Sequence, residues 1–316
     1  MANAFTFPGQ GSQHVGMGKE LAESFPAARA VFEETDEALG QNLSKMMFEG
    51  PSDELTLTQN TQPALLAVSM AVMRVLAERG VKLPGSADYV AGHSLGEYSA
   101  LTAAGAFSLA DAVRLVQTRG KAMQQAVPVG EGAMAALLGL DFEVAQEIAA
   151  EAAEGEVCQA ANDNAPGQVV VSGAVAAVDR AIKIAEGRGA KRAIKLPVSA
   201  PFHCALMAPA TDVMAEKLAQ AEIHPPQVPV IVNVLAGPLT SPADIRTQLV
   251  AQITGTVRWR ESIMWLAQNG VDTVYEIGAG KVLTGLARRI DRSLNGVAIG
   301  SAEDIEKHAA ILANAE

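Results

Sequence analysis

Asp88-Tyr-Val-Ala-Gly-His-Ser-Leu-Gly-Glu97 decides the fold class. Residues 88–92 read as a short buried strand. They run without a spacer into Ser94-Leu95-Gly96-Glu97 and then into an Ala-rich helical stretch. Gly92-His93-Ser94-Leu95-Gly96 fits G-x-S-x-G, in which a strand turns sharply into a helix with the serine at the apex. The flanking glycines avoid side-chain clashes at such a turn, and amides at the helix start face whatever reacts at the serine. A serine that merely caps a helix gives the same local pattern.

Working outward, Ala4–Phe7 reads as a strand that stops at Pro8-Gly9, with helical patterns near 17–32 and 61–79. Ser108-Leu-Ala-Asp starts a further helix that runs through Arg119 to about Gln125. Strands alternating with helices predict an α/β sheet with helices on its faces.

Beyond the breaker cluster Pro128-Val-Gly-Glu-Gly132 the rhythm changes. Residues 133–138 read as a strand, 142–153 as a helix, 157–161 and 168–171 as strands, 175–186 as a helix and 193–196 as a strand. The order βαββαβ is the ferredoxin-like pattern, and it predicts a small subdomain inserted at a loop of the larger one. After Pro197 the larger pattern resumes. Helices are expected at 206–221, 242–253, 260–268, 281–289 and 301–314, with strands at 230–234 and 273–277.

The chain has 316 residues, long enough for about two domains. Its 49% hydrophobic and 19% charged residues exclude a wholly disordered chain. Twenty-four Lys and Arg against 35 Asp and Glu give a net charge of −11, which argues against nucleic-acid or anionic-membrane binding. Cys158 and Cys204 lack metal-site spacing and cannot form a disulfide framework, so reduced thiols are expected. No apolar run approaches the roughly 18 residues of a membrane span, and the first residues lack the basic and apolar segments of a signal peptide.

If Ser94 is a nucleophile it needs a base, and there are five histidines. His93 lies within the elbow, His224 precedes two prolines, and His308 sits on a polar terminal helix. His14 follows a Gly-rich loop. His203, in Ser199-Ala-Pro-Phe-His-Cys-Ala-Leu-Met207, lies downstream of the serine at a loop-to-helix junction, in the chain order of hydrolase-type sites. His203 and His14 are both candidates, and a packed or surface histidine is the alternative. Phe7-Pro-Gly-Gln-Gly-Ser-Gln13 could supply a second oxyanion donor, though by itself it reads as a Gly-rich turn. Gly278-Ala-Gly-Lys281 fails both nucleotide-loop templates, since Val282 follows the lysine and Leu283 stands where the third glycine is needed. Arg119 taken alone reads as a surface helix cation.

Together these motifs resemble the malonyl-CoA:acyl carrier protein transacylase family of type II fatty acid synthesis. The resemblance runs from Phe5 to about Ile299. It is carried by the loop at 7–13, Thr-Gln-Pro-Ala (61–64), Gly-His-Ser-Leu-Gly-Glu-Tyr-Ser-Ala-Leu (92–101) and Arg-Gly-Lys-Ala-Met-Gln (119–124). Asn-Ala-Pro-Gly-Gln-Val-Val (164–170), Phe-His-Cys-Ala-Leu-Met (202–207) and Gly-Lys-Val-Leu-Thr-Gly-Leu (280–286) complete it. It implies an α/β-hydrolase-like core, residues 1–127 and 199–316, with a ferredoxin-like subdomain at 128–198.

The resemblance also implies roles. Ser94 is the acyl-accepting nucleophile and His203 the base, oriented by the main-chain carbonyl of Gln252 in place of an aspartate. Only that carbonyl is expected to matter, so loss of the Gln252 side chain should be mild. The Gln10 and Leu95 amides form the oxyanion hole. Arg119 binds the malonyl carboxylate through paired hydrogen bonds, and a neutral acyl group would leave its buried charge unpaired. Gln62, Asn162 and Phe202 line the substrate site, with Asn164 an alternative to Asn162.

The expected reaction is malonyl transfer from a coenzyme A thioester to Ser94 and then to the phosphopantetheine thiol of acyl carrier protein. No metal or redox cofactor, nucleic acid or membrane is expected, and the expected setting is a monomer in the cytoplasm. The rival readings are a serine thioesterase or esterase and a non-catalytic acyl-binding module. Two basic clusters could receive an acidic carrier protein: Arg188, Lys191, Arg192 and Lys195, which is favoured, or Lys281, Arg288 and Arg289.

Overall fold

A computed structural model describes residues 2–198 and 200–314. Among these residues ten strands form two sheets, β1 (Ala2–Phe7), β2 (Tyr89–Gly92), β3 (Gly132–Leu138), β4 (Cys158–Ala165), β5 (Gln168–Ala174), β6 (Arg192–Lys195), β7 (Val230–Val232), β8 (Gly237–Leu239), β9 (Val271–Ile277) and β10 (Asn295–Ile299). The six-stranded sheet has the order β10-β9-β1-β2-β7-β8 and the four-stranded sheet β4-β5-β3-β6. The fold is therefore mixed α/β with two sheets.

The large sheet is parallel except at its edge, where β8 turns back on β7. Parallel strands carry helices on both faces and read as near-continuous apolar runs. Ala4, Phe5, Phe7, Val90 and Ala91 are accordingly buried. The helices Thr58–Glu78 and Leu109–Ala126 pack on each other, and the first also touches β9. Phe7 pairs with Gly92, so β1 and β2 end side by side and the loops that follow them leave the same sheet edge. Ligand sites of open α/β sheets lie beyond the carboxyl ends of the strands, and both candidate loops emerge there.

The small sheet is antiparallel throughout. Helices Phe142–Ala153 and Val175–Gly187 complete the order βαββαβ and share with it a separate Ala- and Val-rich core. Main-chain bonds tie its β4 edge to the large unit: Val257 N–H donates to Ala161 O at 2.9 Å, and Asp163 N–H donates to Val257 O at 2.9 Å. Arg260 adds an ion pair to the buried Asp163 at 2.8 Å. The alternating side chains of β4 next to Asp163, those of Asn162 and Asn164, are thereby held at the junction of the two units.

One expected helix is split, and four elements occur where none is expected. The single helix expected near 17–32 is two, Lys19–Ser24 and Pro26–Leu39, because Phe25 is extended and Pro26 opens a new first turn. Short helices Leu43–Glu49 and Ser52–Thr56 follow. The edge strands β8 and β10 were not foreseen. Both are short and only partly buried, so neither shows a clear apolar run. Of the subdomain boundaries, Ser199 lies outside the described residues, as do Met1 and residues 315–316.

Candidate active site

Ser94 lies one residue beyond the end of β2 with φ 54°, a left-handed conformation that non-glycine residues rarely adopt. Such strain persists only where the surroundings enforce it. Here Asn233, just past β7, supplies the clamp. Its Oδ1 accepts from the Ser94 N–H at 2.7 Å, and its Nδ2 donates to Gly92 O at 2.7 Å. The turn needs close backbone packing. A Cβ on Gly96 would lie 2.2 Å from Phe7 O, and one on Gly9 would lie 2.6 Å from His93 O. The loop after β1 and the elbow after β2 are in this way pressed together.

Ser94 Oγ lies 2.8 Å from His203 Nε2. His203 Nδ1 lies 2.9 Å from the main-chain oxygen of Gln252. A carbonyl only accepts, so Nδ1 carries the proton and Nε2 presents its lone pair to the serine hydroxyl. His203 also sits at a left-handed φ of 58°. Burial, and next the charge of Arg119, push its pKa down to about 3, which leaves the ring neutral and able to take a proton at neutral pH.

Arg119 projects from the helix Leu109–Ala126 and is 1% exposed, not the surface cation that the isolated sequence suggests. Its Nη2 donates to Ser94 Oγ at 3.1 Å and to Gln252 Oε1 at 2.9 Å, and its Nη1 donates to Gln62 Oε1 at 2.8 Å. The guanidinium stands 5.8 Å from the Tyr98 ring centroid. Among the described residues it forms no ion pair with a carboxylate, so a buried cation faces the nucleophile with only neutral groups in contact. Burial lowers its pKa, yet a guanidinium stays charged at neutral pH.

These groups open on a cavity of about 710 Å³. Gln10, Gln62, Ser94, Leu95, Arg119, Asn162, Phe202 and His203 all line it, while Gln252 lies fully buried behind them. The Leu95 amide follows the serine at the start of helix Gly96–Ala103, where N–H groups have no intrahelical acceptor. The two asparagines separate: Asn162 faces the cavity, whereas Asn164 Oδ1 holds His93 Nε2 at 2.8 Å. His14 lines a different cavity, of about 380 Å³, with Lys281 and Asp304. Of the two candidate bases, only His203 reaches the serine.

The side chain of Gln252 is engaged, contrary to the expectation that only its carbonyl matters. Besides accepting from Arg119, it donates through Nε2 to Ser94 O at 3.1 Å and to Glu97 Oε2 at 3.0 Å. Glu97 and Asn233 are site residues that the sequence reading did not single out. Both carried a signal, since each interrupts an otherwise apolar stretch: Glu97 begins an Ala-rich helix and Asn233 ends the run Val230-Ile-Val. The favoured basic cluster is also smaller than its sequence suggests. Arg188 is paired with Glu147 and Glu151, and Lys195 with Asp179 at 2.7 Å. Lys191 and Arg192 are exposed and form no ion pair among the described residues.

No helix of the described residues is long and apolar enough to cross a membrane. The family model for the acyl transferase domain matches residues 4–311. The malonyl CoA-acyl carrier protein transacylase of Bacillus subtilis is 51% identical over 304 residues, which cover 96% of this chain and 95% of that protein. The crystal structure of the acyl-carrier-protein-S-malonyltransferase from Bartonella henselae matches with TM-score 0.97 at 56% identity, over 99% of each chain. A malonyl-transacylase solved in complex with its type II PKS acyl-carrier protein matches with TM-score 0.95 at 44% identity, over 98% of this chain and 100% of that one.

Proposed function

The chain belongs to the acyl transferase domain family, and on that premise we propose that it transfers a malonyl group from malonyl-CoA to the phosphopantetheine thiol of acyl carrier protein. The observation that carries this reading is the buried Arg119 guanidinium 3.1 Å from Ser94 Oγ. An acyl group bound to Ser94 must present its far end to that cation. A carboxylate there makes two charge-assisted hydrogen bonds, whereas a methyl group leaves the charge without a partner.

The chemistry proceeds in two steps. His203 Nε2 takes the Ser94 proton as Oγ attacks the thioester carbon, forming a tetrahedral oxyanion that the Gln10 and Leu95 amides stabilise. The intermediate collapses, the C–S bond breaks, and the imidazolium returns the proton to the leaving thiolate, so coenzyme A departs as a thiol. The carrier thiol then gives its proton to the neutral His203 and attacks malonyl-Ser94. The product thioester forms and Ser94 recovers its proton. The Gln252 carbonyl, a neutral acceptor, keeps the His203 ring oriented throughout. A site with no carboxylate against the imidazole suits this cycle, because His203 stays neutral in the resting enzyme and can serve each attack as base.

In the same reading the large unit, residues 1–127 and 199–316, is an α/β-hydrolase-like core and residues 128–198 are a ferredoxin-like insertion. The order β4-β5-β3-β6 supports the latter, since the first strand of this unit lies between its third and fourth. The enzyme works as a cytoplasmic monomer without metal or redox cofactor, with Asn162, Gln62 and Phe202 lining the site around the malonyl group.

The test measures coenzyme A release and malonyl-carrier formation together, with and without carrier protein. The proposal expects release to stop near one equivalent per enzyme without carrier protein and to continue with stoichiometric malonyl transfer when it is present. Sustained release to water would make the chain a thioesterase. No release and no adduct would make it a binding module.

A further inference from the structure

Glu97 is a buried carboxyl that the transfer chemistry does not use. It lies three residues after the nucleophile on the helix Gly96–Ala103 and has no exposed surface. Its Oε2 accepts from Asn233 N–H at 2.8 Å and from Gln252 Nε2 at 3.0 Å. Both partners reach the reacting groups: Asn233 clamps the Ser94 elbow through its side chain, and Gln252 touches Arg119.

The orientation of the Gln252 amide follows from these contacts. An amide has a donor end and an acceptor end. Glu97 Oε2 and Ser94 O both accept, so Nε2 must face them. Oε1 is then turned to the guanidinium, where it accepts from Nη2 at 2.9 Å. With the amide reversed, its NH₂ group would face the Arg119 donors and its oxygen would face two acceptors. Burial raises the Glu97 carboxyl to about 7. Ionised or protonated on Oε1, which has no partner among the described residues, the group keeps Oε2 free to accept from both donors.

We propose that Glu97 is a positioning residue for acyl selection: it fixes the Gln252 amide so that the amide oxygen holds the Arg119 guanidinium over Ser94, ready for an acyl carboxylate. The proposal rests on the malonyl reading above. Its chain of contacts is Glu97–Gln252–Arg119, with the Asn233 strap as a second arm that steadies the elbow.

The test compares Ser94 acylation by malonyl-CoA and by acetyl-CoA in the wild type, Glu97→Leu and Glu97→Gln. Losing the acceptor in Glu97→Leu should lower the malonyl-to-acetyl ratio of kcat/KM by about tenfold, chiefly through a higher malonyl KM, which is the size of one charge-assisted contact. Glu97→Gln keeps an oxygen able to accept from both donors, and it should hold the ratio within about threefold of wild type. If Glu97→Leu does not fold, Glu97→Asp withdraws the acceptor by one methylene, and the same selective loss is required of it. Equal loss for both acyl groups, or an unchanged ratio, would overturn the proposal and leave Glu97 a purely structural residue. A wild-type chain that shows no preference for malonyl would overturn the malonyl reading itself, and this inference with it.

Discussion

His203 Nδ1 lies 2.9 Å from the main-chain oxygen of Gln252, and the side chain of that glutamine takes no part in the bond. One residue serves two groups with different atoms. Its carbonyl fixes the tautomer of the base, and its amide holds Arg119. Substitution separates the two roles, because every amino acid retains the carbonyl.

His203→Ala should therefore slow both half-reactions by about 10²–10⁴-fold, the usual contribution of a general base. Gln252→Ala should leave kcat for acylation much less affected and raise the malonyl KM by about tenfold, since one acceptor of the guanidinium is lost. Steady-state kinetics of the first half-reaction decides it. A fall in kcat as deep as that of His203→Ala would show that the histidine loses its orientation with the side chain.

The His203 ring should stay neutral far into acid. Burial comes first and the Arg119 charge second in lowering its pKa to about 3. An NMR titration of its ring signals between pH 8 and pH 5 should show no protonation step, whereas a free imidazole takes up its proton near 6.5. In Arg119→Ala the midpoint should move up, because a neighbouring positive charge disfavours the imidazolium. The sign for stability follows. Between pH 3 and 6.5 the unfolded chain binds a proton at this site that the folded chain does not, so the His203 contribution is complete above 6.5 and is lost as pH falls toward 3. Protonation of His203 near pH 6.5 in the wild type would contradict the buried geometry.

Arg119→Ala should lower kcat/KM for malonyl-CoA by about a hundredfold, as two charge-assisted hydrogen bonds are removed, and should retain or gain activity on acetyl-CoA. Equal loss on both thioesters would make Arg119 structural.

Charge reversal at Arg192 should raise the KM for carrier protein and weaken its dependence on salt, with acylation by malonyl-CoA almost unchanged. Lys191 and Arg192 are the members of that cluster left unpaired among the described residues, since Arg188 and Lys195 are bound to acidic neighbours. A KM for carrier protein that stays at the wild-type value would exclude this face as the docking surface.

The sequence was most legible where local chemistry and periodicity coincide. The run 88–97 specified strand, turn and helix because an apolar run, two glycines and a serine all require the same turn. The helix Phe142–Ala153 matches its expected bounds to the residue. Arg119 was illegible by itself, because helix periodicity does not say that a neighbouring helix will cover an arginine. The roles of Glu97, Asn233 and the Gln252 side chain were hidden for a related reason. They arise from contacts between residues 133 to 158 positions apart, brought together by the tertiary fold and not by any short motif. The edge strands β8 and β10 escaped because a partly buried strand of three to five residues has too few positions to show a period.

The central claim is that Ser94 carries the acyl group, and intact mass after incubation with malonyl-CoA tests it most directly. The wild type should gain one malonyl mass and lose it when carrier protein is added. Ser94→Ala, folded as judged by an unchanged circular dichroism spectrum, should gain none. A stoichiometric malonyl adduct on Ser94→Ala would contradict the account and place the nucleophile elsewhere.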